Sequence, residues 1–244
     1  MTNVLISAHK CGQAELGELT IIENALKACE LGADYVEFDV RVTKDKQFVI
    51  WHDRLVRVDN KLVAVSRINC DDFLAQVPQS CTLKNLLKAI QGKAKGHVDL
   101  KDGHNEIEVV DLCVSLLGRD GFVVTTLRDK SVRKLRKFRP DCKIGLTLGA
   151  DTRGLPKRLA FKIRLSEYFP ELRIAHTKPS FLAIYYKETI FGSLYIAKLD
   201  KLPVLLWTID SPNEIRHSFN SPLIWMFTTN YPRQAAHIRQ EIIS

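Results

Sequence analysis

Strand-like apolar runs alternate with helix-like runs along the chain, and this alternation constrains the fold more than any other feature of the sequence. We count eight strand-like runs: NVLISAH, ADYVEFDV, GHVDLK, FVVTTL, CKIGLTL, FLAIYY, PVLLWTI and LIWMFTT. Amphipathic runs such as TIIENALKACELG, NEIEVVDLCVSLLG and KETIFGSLYIAKL lie between them. Eight such units in 244 residues predict an α/β fold, a closed TIM-type (β/α)8 barrel rather than an open, doubly wound sheet. We find no Gly/Ser/Pro-rich linker and predict a single domain over residues 1–244.

The stretch DYVEFDVRVTKDKQFVIWHD, residues 34–53, interrupts this alternation. Its two apolar halves are separated by fewer residues than the dozen or so that a parallel crossover needs, so they must form an antiparallel hairpin after strand 2. Glu37 and Asp39 are two residues apart and therefore point to the same face of their strand. The predicted hairpin returns His52 to the strand end that carries both carboxylates.

Polar side chains gather where the predicted strands end, which in barrels of this type is the edge that carries the catalytic groups. These residues are His9, Lys10, Glu37, Asp39, Asp99, Lys101, Thr125, Thr126 and Thr208, and the hairpin adds His52. Converging carboxylates offer the hard oxygen ligands that suit Mg²⁺ or Ca²⁺. Histidines beside such an ion suit acid–base catalysis near neutral pH, and lysines at the same edge indicate an anionic substrate, most simply a phosphate.

Each of these residues also has a purely structural explanation. The two carboxylates of the hairpin could face solvent from an edge strand, and a histidine at a strand end could be held by its neighbours. Asp99 and Lys101 could form an ion pair, and Thr20 and Glu23 fit a capping box for the first long helix. Because chemistry-bearing residues recur at four strand ends, we interpret the set as a site.

The composition indicates the class of partner. The net charge of +8 favours anionic partners, but no nucleic-acid-binding motif accompanies it, and we expect no nucleic acid. No run reaches the roughly 18 apolar residues of a membrane span, and the opening apolar run is too short for a signal peptide. The six cysteines are scattered without a C-x-x-C pair, which does not support zinc and is typical of a cytoplasmic protein.

A basic segment, RGLPKRLAFKIRLSEYF, spans residues 153–169. Leu155, Leu159 and Ile163 share one helical face, and five cationic residues lie among them. One interpretation is a lid or interfacial helix that makes weak contact with an anionic membrane surface. The other, which we favour, is an outer barrel helix with a solvated basic face.

Several blocks of the chain together resemble a known family. ISAHKCG, IENALKACELGADYVEFDVRVTKD, FVIWHD, HVDLK, VLLWTID and TTNYP are similar, in this order, to the signature blocks of the glycerophosphodiester phosphodiesterases. The similarity covers nearly the whole chain, and the Glu-x-Asp hairpin that ends in His-Asp is its most specific part. It implies a TIM-type barrel that binds one divalent cation, Mg²⁺ or Ca²⁺.

The resemblance implies three kinds of site residue. The implied metal ligands are Glu37, Asp39 and Asp99. The implied acid–base pair is His9 and His52. The implied substrate-binding residues are two lysines that contact phosphate, a tryptophan that packs against glycerol and a glutamate near the site: Lys10, Lys101, Trp207 and Glu23.

The chain departs from the family pattern at several positions. Lys10 stands where the family has an arginine, and Asp99 is one methylene shorter than the usual glutamate. Cys11 stands where glycine is common, and Asn230 replaces the aspartate of the closing block.

The resemblance implies hydrolysis of glycerophosphodiesters to glycerol 3-phosphate and an alcohol, with a small-molecule substrate. The alternatives are a lysophospholipase D or phospholipase-type activity on lipid phosphodiesters, and a non-catalytic phosphate-binding barrel. The oligomeric state is not indicated by the sequence.

Overall fold

The computed structural model describes residues 4–17, 19–150, 152, 156–187, 197–198 and 201–243. Eleven strands lie in this part of the chain. They are β1 (Leu5–Ala8), β2 (Tyr35–Val42), β3 (Phe48–Ile50), β4 (Leu55–Val58), β5 (Lys61–Ala64), β6 (Lys95–Leu100), β7 (Phe122–Thr126), β8 (Ile144–Leu148), β9 (Phe181–Tyr185), β10 (Val204–Trp207) and β11 (Ile224–Thr229).

Eight of these strands form a closed parallel barrel. The order is β1-β2-β6-β7-β8-β9-β10-β11, and the pairing of β11 with β1 closes the ring. The eight strand-like runs of the sequence correspond to these eight strands, so the predicted (β/α)8 fold is confirmed. Such closure leaves no unpaired edge within the ring.

Helices cover the outside of the barrel. They are α1 (Gln13–Leu16), α2 (Ile21–Glu30), α3 (Cys70–Gln76), α4 (Leu83–Ile90), α5 (Glu106–Leu117), α6 (Asp129–Phe138), α7 (Lys157–Tyr168), α8 (Glu171–Thr177), α9 (Pro212–Asn220) and α10 (Pro232–Ile243). The predicted helix KETIFGSLYIAKL lies mostly outside the described residues. Among the helices that the structure does describe, none combines the length and the apolar character needed to span a bilayer.

The predicted hairpin is present. Strand β3 pairs antiparallel with β2, with Val40 opposite Ile50 and Val42 opposite Phe48. The chain between them turns at residues 43–46, where the Thr43 amide donates a 2.9 Å hydrogen bond to the Gln47 carbonyl and the Gln47 amide donates a 3.1 Å bond to the Thr43 hydroxyl oxygen. The hairpin therefore returns the chain toward the carboxyl end of β2.

The segment after the hairpin is more structured than the sequence indicated. Strands β4 and β5 form a separate two-stranded sheet, and α3 follows them. A small apolar cluster that includes Val56 and Phe73 holds this segment, and Trp51 packs against it. Short strands with little periodicity gave no clear signal for this unit.

The two faces of the barrel strands have different packing. Val36, Phe38 and Val40 of β2 belong to the large cluster shared with the helices. Tyr35 belongs to a smaller apolar cluster, with Phe181 and Met226, on the opposite strand face. Because side chains alternate along a strand, residues 37 and 39 share the inner face with residue 35. The barrel interior is thus apolar near the strand starts and polar toward their carboxyl ends.

Candidate active site

Three carboxylates meet inside the barrel at the carboxyl ends of β2 and β6. Asp39 lies directly opposite Asp99 in the parallel pairing of these strands, and Glu37 lies one inward position earlier. One oxygen from each carboxylate lies within 4.8 Å of the others. Glu37 is only 5% exposed and Asp39 4%. Pairing of the two strands therefore concentrates negative charge on two buried carboxylates and one partly exposed carboxylate.

One lysine side chain balances part of this charge. Lys101 Nζ lies 2.8 Å from Asp39 Oδ1 and 2.5 Å from Asp99 Oδ2. Burial opposes the charged form of Lys101, but the two aspartates outweigh it and hold its pKa above the ordinary value. Burial likewise opposes the charged form of Asp99, but Lys101 brings the pKa of this carboxyl below its ordinary value. Asp99 and Lys101 therefore do form the ion pair that the sequence offered as a structural explanation for them.

The third carboxylate is poorly compensated by the protein. Burial, and then the neighbouring charges of Asp39 and Asp99, raise the pKa of Glu37 well above its ordinary value. Its Oε2 accepts a 2.6 Å hydrogen bond from the Lys10 backbone amide. Three clustered carboxylates with one ammonium leave net negative charge, and carboxylate oxygens are the ligands that Mg²⁺ and Ca²⁺ prefer. The cluster therefore fits a divalent cation.

A tight turn after β1 delivers the amide that binds Glu37. Lys10 and Cys11 adopt left-handed conformations, with φ of 46° and 58°, and Gly12 follows with φ of 78°. The family preference for glycine where this chain has Cys11 has a physical reason, because a left-handed backbone favours glycine.

His9 is held by a two-step polar chain. Its Nδ1 lies 2.7 Å from Asn230 Oδ1, and Asn230 Nδ2 donates a 2.8 Å hydrogen bond to Asp210 Oδ2. Asp210 fixes the orientation of the amide, so the amide oxygen faces His9, which must then donate from Nδ1. Its Nε2 is left as the proton acceptor. Burial lowers the pKa of His9 below its ordinary value, in spite of the Asn230 hydrogen bond, and this favours the neutral ring.

His52 is anchored through its backbone. Arg41 donates to the His52 carbonyl from Nε at 3.2 Å and from Nη2 at 2.8 Å. The same guanidinium donates to Asp102 Oδ1 at 2.9 Å. The ring Nδ1 lies 2.8 Å from Asp53 Oδ1, and the His52 side chain is 49% exposed. His9 is therefore fixed by its ring, whereas His52 is fixed mainly by its main chain.

A buried polar chain below the carboxylates was not anticipated from the sequence. Ser7 Oγ lies 3.0 Å from His97 Nδ1, and His97 Nε2 lies 3.1 Å from Thr125 Oγ1. Thr125 Oγ1 in turn donates to Asp99 Oδ1 at 3.1 Å. Burial lowers the pKa of His97 to about 4, so the ring is neutral. Because Thr125 donates its hydroxyl proton to Asp99, His97 must donate from Nε2 to the Thr125 oxygen. Its Nδ1 then accepts a hydrogen bond from the Ser7 hydroxyl.

These groups line a cavity of about 110 Å³ at the barrel mouth. Its lining is His9, Glu37, Asp39, His52, His97, Asp99, Lys101, Thr125, Leu127, Thr147, Ala183, Leu205, Trp207 and Thr228. A second cavity of about 230 Å³ lies beside it and is lined by Lys10, Gln13 and Trp51 among others. Asp39 and His52 line both cavities, so they stand at the junction.

The structure brings to these two cavities eight of the nine residues to which the family resemblance assigns a role, whereas Thr126 and Thr208 line neither cavity. Glu23 is the one that it does not bring. It is exposed at the start of α2, where its carboxylate accepts hydrogen bonds from the Thr20 amide at 2.9 Å and from the Thr20 hydroxyl at 2.7 Å. The capping-box explanation therefore accounts for its position.

The chain is similar in sequence to known phosphodiesterases. The model of the glycerophosphoryl diester phosphodiesterase family matches residues 9–232. The glycerophosphocholine phosphodiesterase GDE1 of Eremothecium gossypii is 32% identical over 90 residues, which are 37% of this chain and 6% of that protein. GDE1 of Schizosaccharomyces pombe is 40% identical over 60 residues, which are 25% of this chain and 5% of that protein. The chain thus spans a small part of the length of these curated relatives.

Solved structures share the fold at low sequence identity. A glycerophosphodiester phosphodiesterase of Thermotoga maritima is similar with a TM-score of 0.73 and 18% identity, covering 97% of this chain and 98% of that one. A phosphodiesterase of Oleispira antarctica, solved in complex with its product sn-glycerol-3-phosphate, has a TM-score of 0.70 and 18% identity, covering 98% and 97%. With the family match over residues 9–232, the chain belongs to the glycerophosphoryl diester phosphodiesterase family.

Proposed function

We propose that this protein hydrolyses glycerophosphodiesters to glycerol 3-phosphate and an alcohol, with the help of one divalent cation, Mg²⁺ or Ca²⁺. One observation carries the proposal. Three converging carboxylates line a single cavity together with His9 and His52 in a chain of this family.

Glu37, Asp39 and Asp99 would hold the cation, because their oxygens converge within 4.8 Å. When bound, the cation supplies positive charge opposite the negative charge that develops on the phosphoryl oxygens. Lys101 lies at the same cluster, and its ammonium adds positive charge on the side of β6. These groups bind and orient the phosphate of the substrate.

His9 and His52 act as the general base and the general acid of the reaction. One ring removes a proton from the nucleophile, and the other gives a proton to the leaving alkoxide, so that no net proton is consumed at the two rings. Each ring has its Nδ1 engaged, by Asn230 for His9 and by Asp53 for His52, so Nε2 is the atom available for transfer. The nucleophile is water, or the neighbouring glycerol hydroxyl in a route through a cyclic phosphate that ³¹P NMR would detect.

Lys10 and Trp207 complete the substrate contacts. Lys10 lines the second cavity, which meets the barrel-mouth cavity at Asp39 and His52, and its positive charge would attract an anionic group held at this junction. Trp207 lines the barrel-mouth cavity and packs against Tyr185, with ring centroids 5.2 Å apart and ring planes tilted by 42°. A ring fixed in this way offers an apolar face to the carbon atoms of glycerol.

The direct test is hydrolysis of glycerophosphocholine with and without EDTA. We expect activity that EDTA removes and that Mg²⁺ or Ca²⁺ restores. His9→Ala and His52→Ala should each lower kcat by about 10²–10⁴-fold, since general acid–base groups contribute that much. His217→Ala, an exposed histidine on α9, is the matched control. Tight phosphate binding with no turnover under any divalent cation would instead support a phosphate-binding barrel.

A second candidate property, contact with an anionic membrane surface, is supported by the exposed side chains of α7 and α8. Phe161 is 66% exposed and Leu172 84%, and Lys157 and Lys162 accompany them. Apolar and cationic side chains together suit the interface of an anionic bilayer. Co-sedimentation with phosphatidylserine vesicles but not with phosphatidylcholine vesicles, lost in Lys157→Glu/Lys162→Glu, is the expected result. Equal recovery with both vesicle types would contradict it.

A further inference from the structure

Helix α7 has an unusual distribution of side chains. Leu159, Phe161 and Leu165 are 46%, 66% and 46% exposed, whereas Glu167 is 2% exposed. Glu167 is the one buried residue of this helix. Outer helices normally bury apolar side chains and expose charged ones. Burial of a carboxylate costs free energy unless other groups bind it, so the partners of Glu167 explain why it lies there.

The main partners of Glu167 are backbone groups of the loop that follows β8. Its Oε1 accepts hydrogen bonds from the Gly149 amide at 2.9 Å and from the Ala150 amide at 2.6 Å. Its Oε2 lies 3.4 Å from Arg164 Nη1, one turn earlier in α7. Hydrogen bonds to a charged acceptor are stronger than those between neutral groups. This carboxylate therefore fixes the loop at Gly149 and Ala150 relative to α7.

The same loop packs against the wall of the barrel-mouth cavity. A Cβ atom at Gly149 would lie 2.3 Å from Tyr185 Cβ and 3.1 Å from Trp207 Cζ2, and φ at this position is 110°. Only glycine fits such a close approach and such a backbone angle. Tyr185 packs against Trp207, and Trp207 lines the cavity. The backbone at Gly149 thus lies directly against both aromatic residues.

We propose that Glu167 is a positioning residue for this site. It fixes the loop at Gly149 and Ala150, and the loop holds Tyr185 and Trp207 in place in the cavity wall. Glu167 lines neither cavity, so it acts through the loop and does not touch substrate. The inference goes beyond the proposed function because it gives a role to a residue on an outer helix, and only its kinetic test rests on that function.

Two variants interrupt this connection at its two ends. Glu167→Leu removes the acceptor of both amide hydrogen bonds but keeps an apolar side chain in the buried position. Gly149→Ala keeps the carboxylate but displaces the loop from Tyr185, because the added Cβ has no room there. Glu167→Gln should behave like the wild type, since its side-chain carbonyl oxygen can still accept from both amides.

Each disruptive variant has a matched control away from the site. Glu106 is another buried glutamate, and side chains of α6 bind it at a place that lines neither cavity. Gly118 also has a positive φ, of 75°, but has open space around it. Glu106→Leu and Gly118→Ala should lower the Tm, as the two disruptive variants do, but should leave Trp207 undisturbed.

Fluorescence of Trp207 tests the positioning role without turnover. In a Trp51→Phe/Trp225→Phe background, Trp207 is the only tryptophan of the chain. We expect acrylamide to quench Trp207 more strongly in Glu167→Leu and Gly149→Ala than in the parent, and equally in Glu167→Gln and both controls. Unaltered quenching in both disruptive variants would overturn the proposal. Stronger quenching in the controls as well would also overturn it, because any loss of stability would then have the same effect.

The kinetic readout is KM for glycerophosphocholine. A displaced Trp207 weakens binding of the substrate and of the transition state alike, so KM should rise with little change in kcat. The expected rise in both disruptive variants is about two- to tenfold, as for the loss of an aromatic contact, and Glu167→Gln should keep the wild-type KM. Hydrolysis with an unchanged KM in both variants would contradict the positioning role. If no glycerophosphodiester is hydrolysed but the quenching pattern holds, the proposed function fails while the positioning role stands.

Discussion

The two walls of the barrel-mouth cavity are both polar, but they differ in how their polar groups are paired. On the wall formed by β2, β6 and β7, the side chains of Glu37, Asp39, His97, Asp99 and Thr125 each have a hydrogen-bond or ion-pair partner within the protein. On the wall formed by β8, β10 and β11, the lining residues Thr147, Trp207 and Thr228 each have a buried polar atom with no hydrogen-bond partner among the described residues. The difference lies in the pairing and not in burial, since each wall combines buried residues with partly exposed ones such as Asp99 and Trp207.

This difference indicates two ways of preparing a site. The carboxylate wall concentrates like charges and is arranged before any ligand binds, because its groups hold one another in place. Such preorganisation is what electrostatic catalysis needs. The opposite wall instead keeps three buried polar atoms unpaired among the described residues, and it carries no cluster of charges. Variants on the two walls should therefore differ in what they alter.

The largest expected effect comes from removing a carboxylate. Asp39→Asn leaves the shape of the site but removes one cation ligand and one charge that balances Lys101. Because a metal ion contributes several kcal/mol to a transition state, kcat/KM for glycerophosphocholine should fall by about 10³-fold. Asp111→Asn, on an exposed aspartate that pairs with Arg139 on the barrel exterior, is the control. Wild-type activity in Asp39→Asn would show that this carboxylate is not needed for the reaction.

The next largest effect is expected at the anchor of His52. Arg41→Met keeps the aliphatic stem but removes three hydrogen bonds, two of them to the His52 carbonyl. A displacement of about 1 Å in a positioned catalytic group can cost on the order of 10²-fold, so kcat should fall by roughly this amount with a smaller change in KM. Arg119→Met, which removes an exposed ion pair with Asp141, should change neither constant. An unchanged kcat in Arg41→Met would mean that the hairpin holds His52 in place without the hydrogen bonds from Arg41.

A smaller effect is expected below the carboxylates. Thr125→Val removes the hydroxyl that orients Asp99, and the affinity for Ca²⁺ measured by calorimetry should fall about tenfold, as when a group behind a metal ligand is lost. Thr126→Val, at the neighbouring position on the outer strand face, should lower the Tm without altering Ca²⁺ affinity. If the two variants bind Ca²⁺ equally, the chain from Ser7 to Asp99 is structural only.

The smallest effect is expected at Glu23. Glu23→Gln can still cap α2, so both the Tm and kcat/KM should stay at wild-type values. Glu23→Ala should lower the Tm slightly and leave kcat/KM within about twofold, since the carboxylate serves the helix start. A selective loss of activity in Glu23→Gln, at unchanged Tm, would restore this residue to the site.

Much of the fold could be predicted because its signals are local. Each barrel strand is a short apolar run, and the brevity of the link between Asp39 and His52 leaves only a hairpin. The unit formed by β4, β5 and α3 escaped prediction because its strands have four residues each, half of them exposed, with no regular alternation. Its stability comes from packing on Trp51 and Val49, which no sequence periodicity reports.

The site was predictable where residues act at strand ends, and less so where they act through partners distant in sequence. His97 and Thr147 left a usable signal, since polar residues at inward positions of apolar strands require a partner or a ligand. The His9–Asn230–Asp210 chain joins residues 221 positions apart and depends on ring closure between β11 and β1. Arg41 also gave no signal, because its contact with His52 exists only after the hairpin folds.

The role of the carboxylate wall is tested most directly by a crystal structure with Ca²⁺ and sn-glycerol 3-phosphate bound. We predict one ion bound by Glu37, Asp39 and Asp99, with the phosphate beside it and facing His9 and His52. An ion bound elsewhere, or a phosphate that lies away from both histidines, would contradict the account.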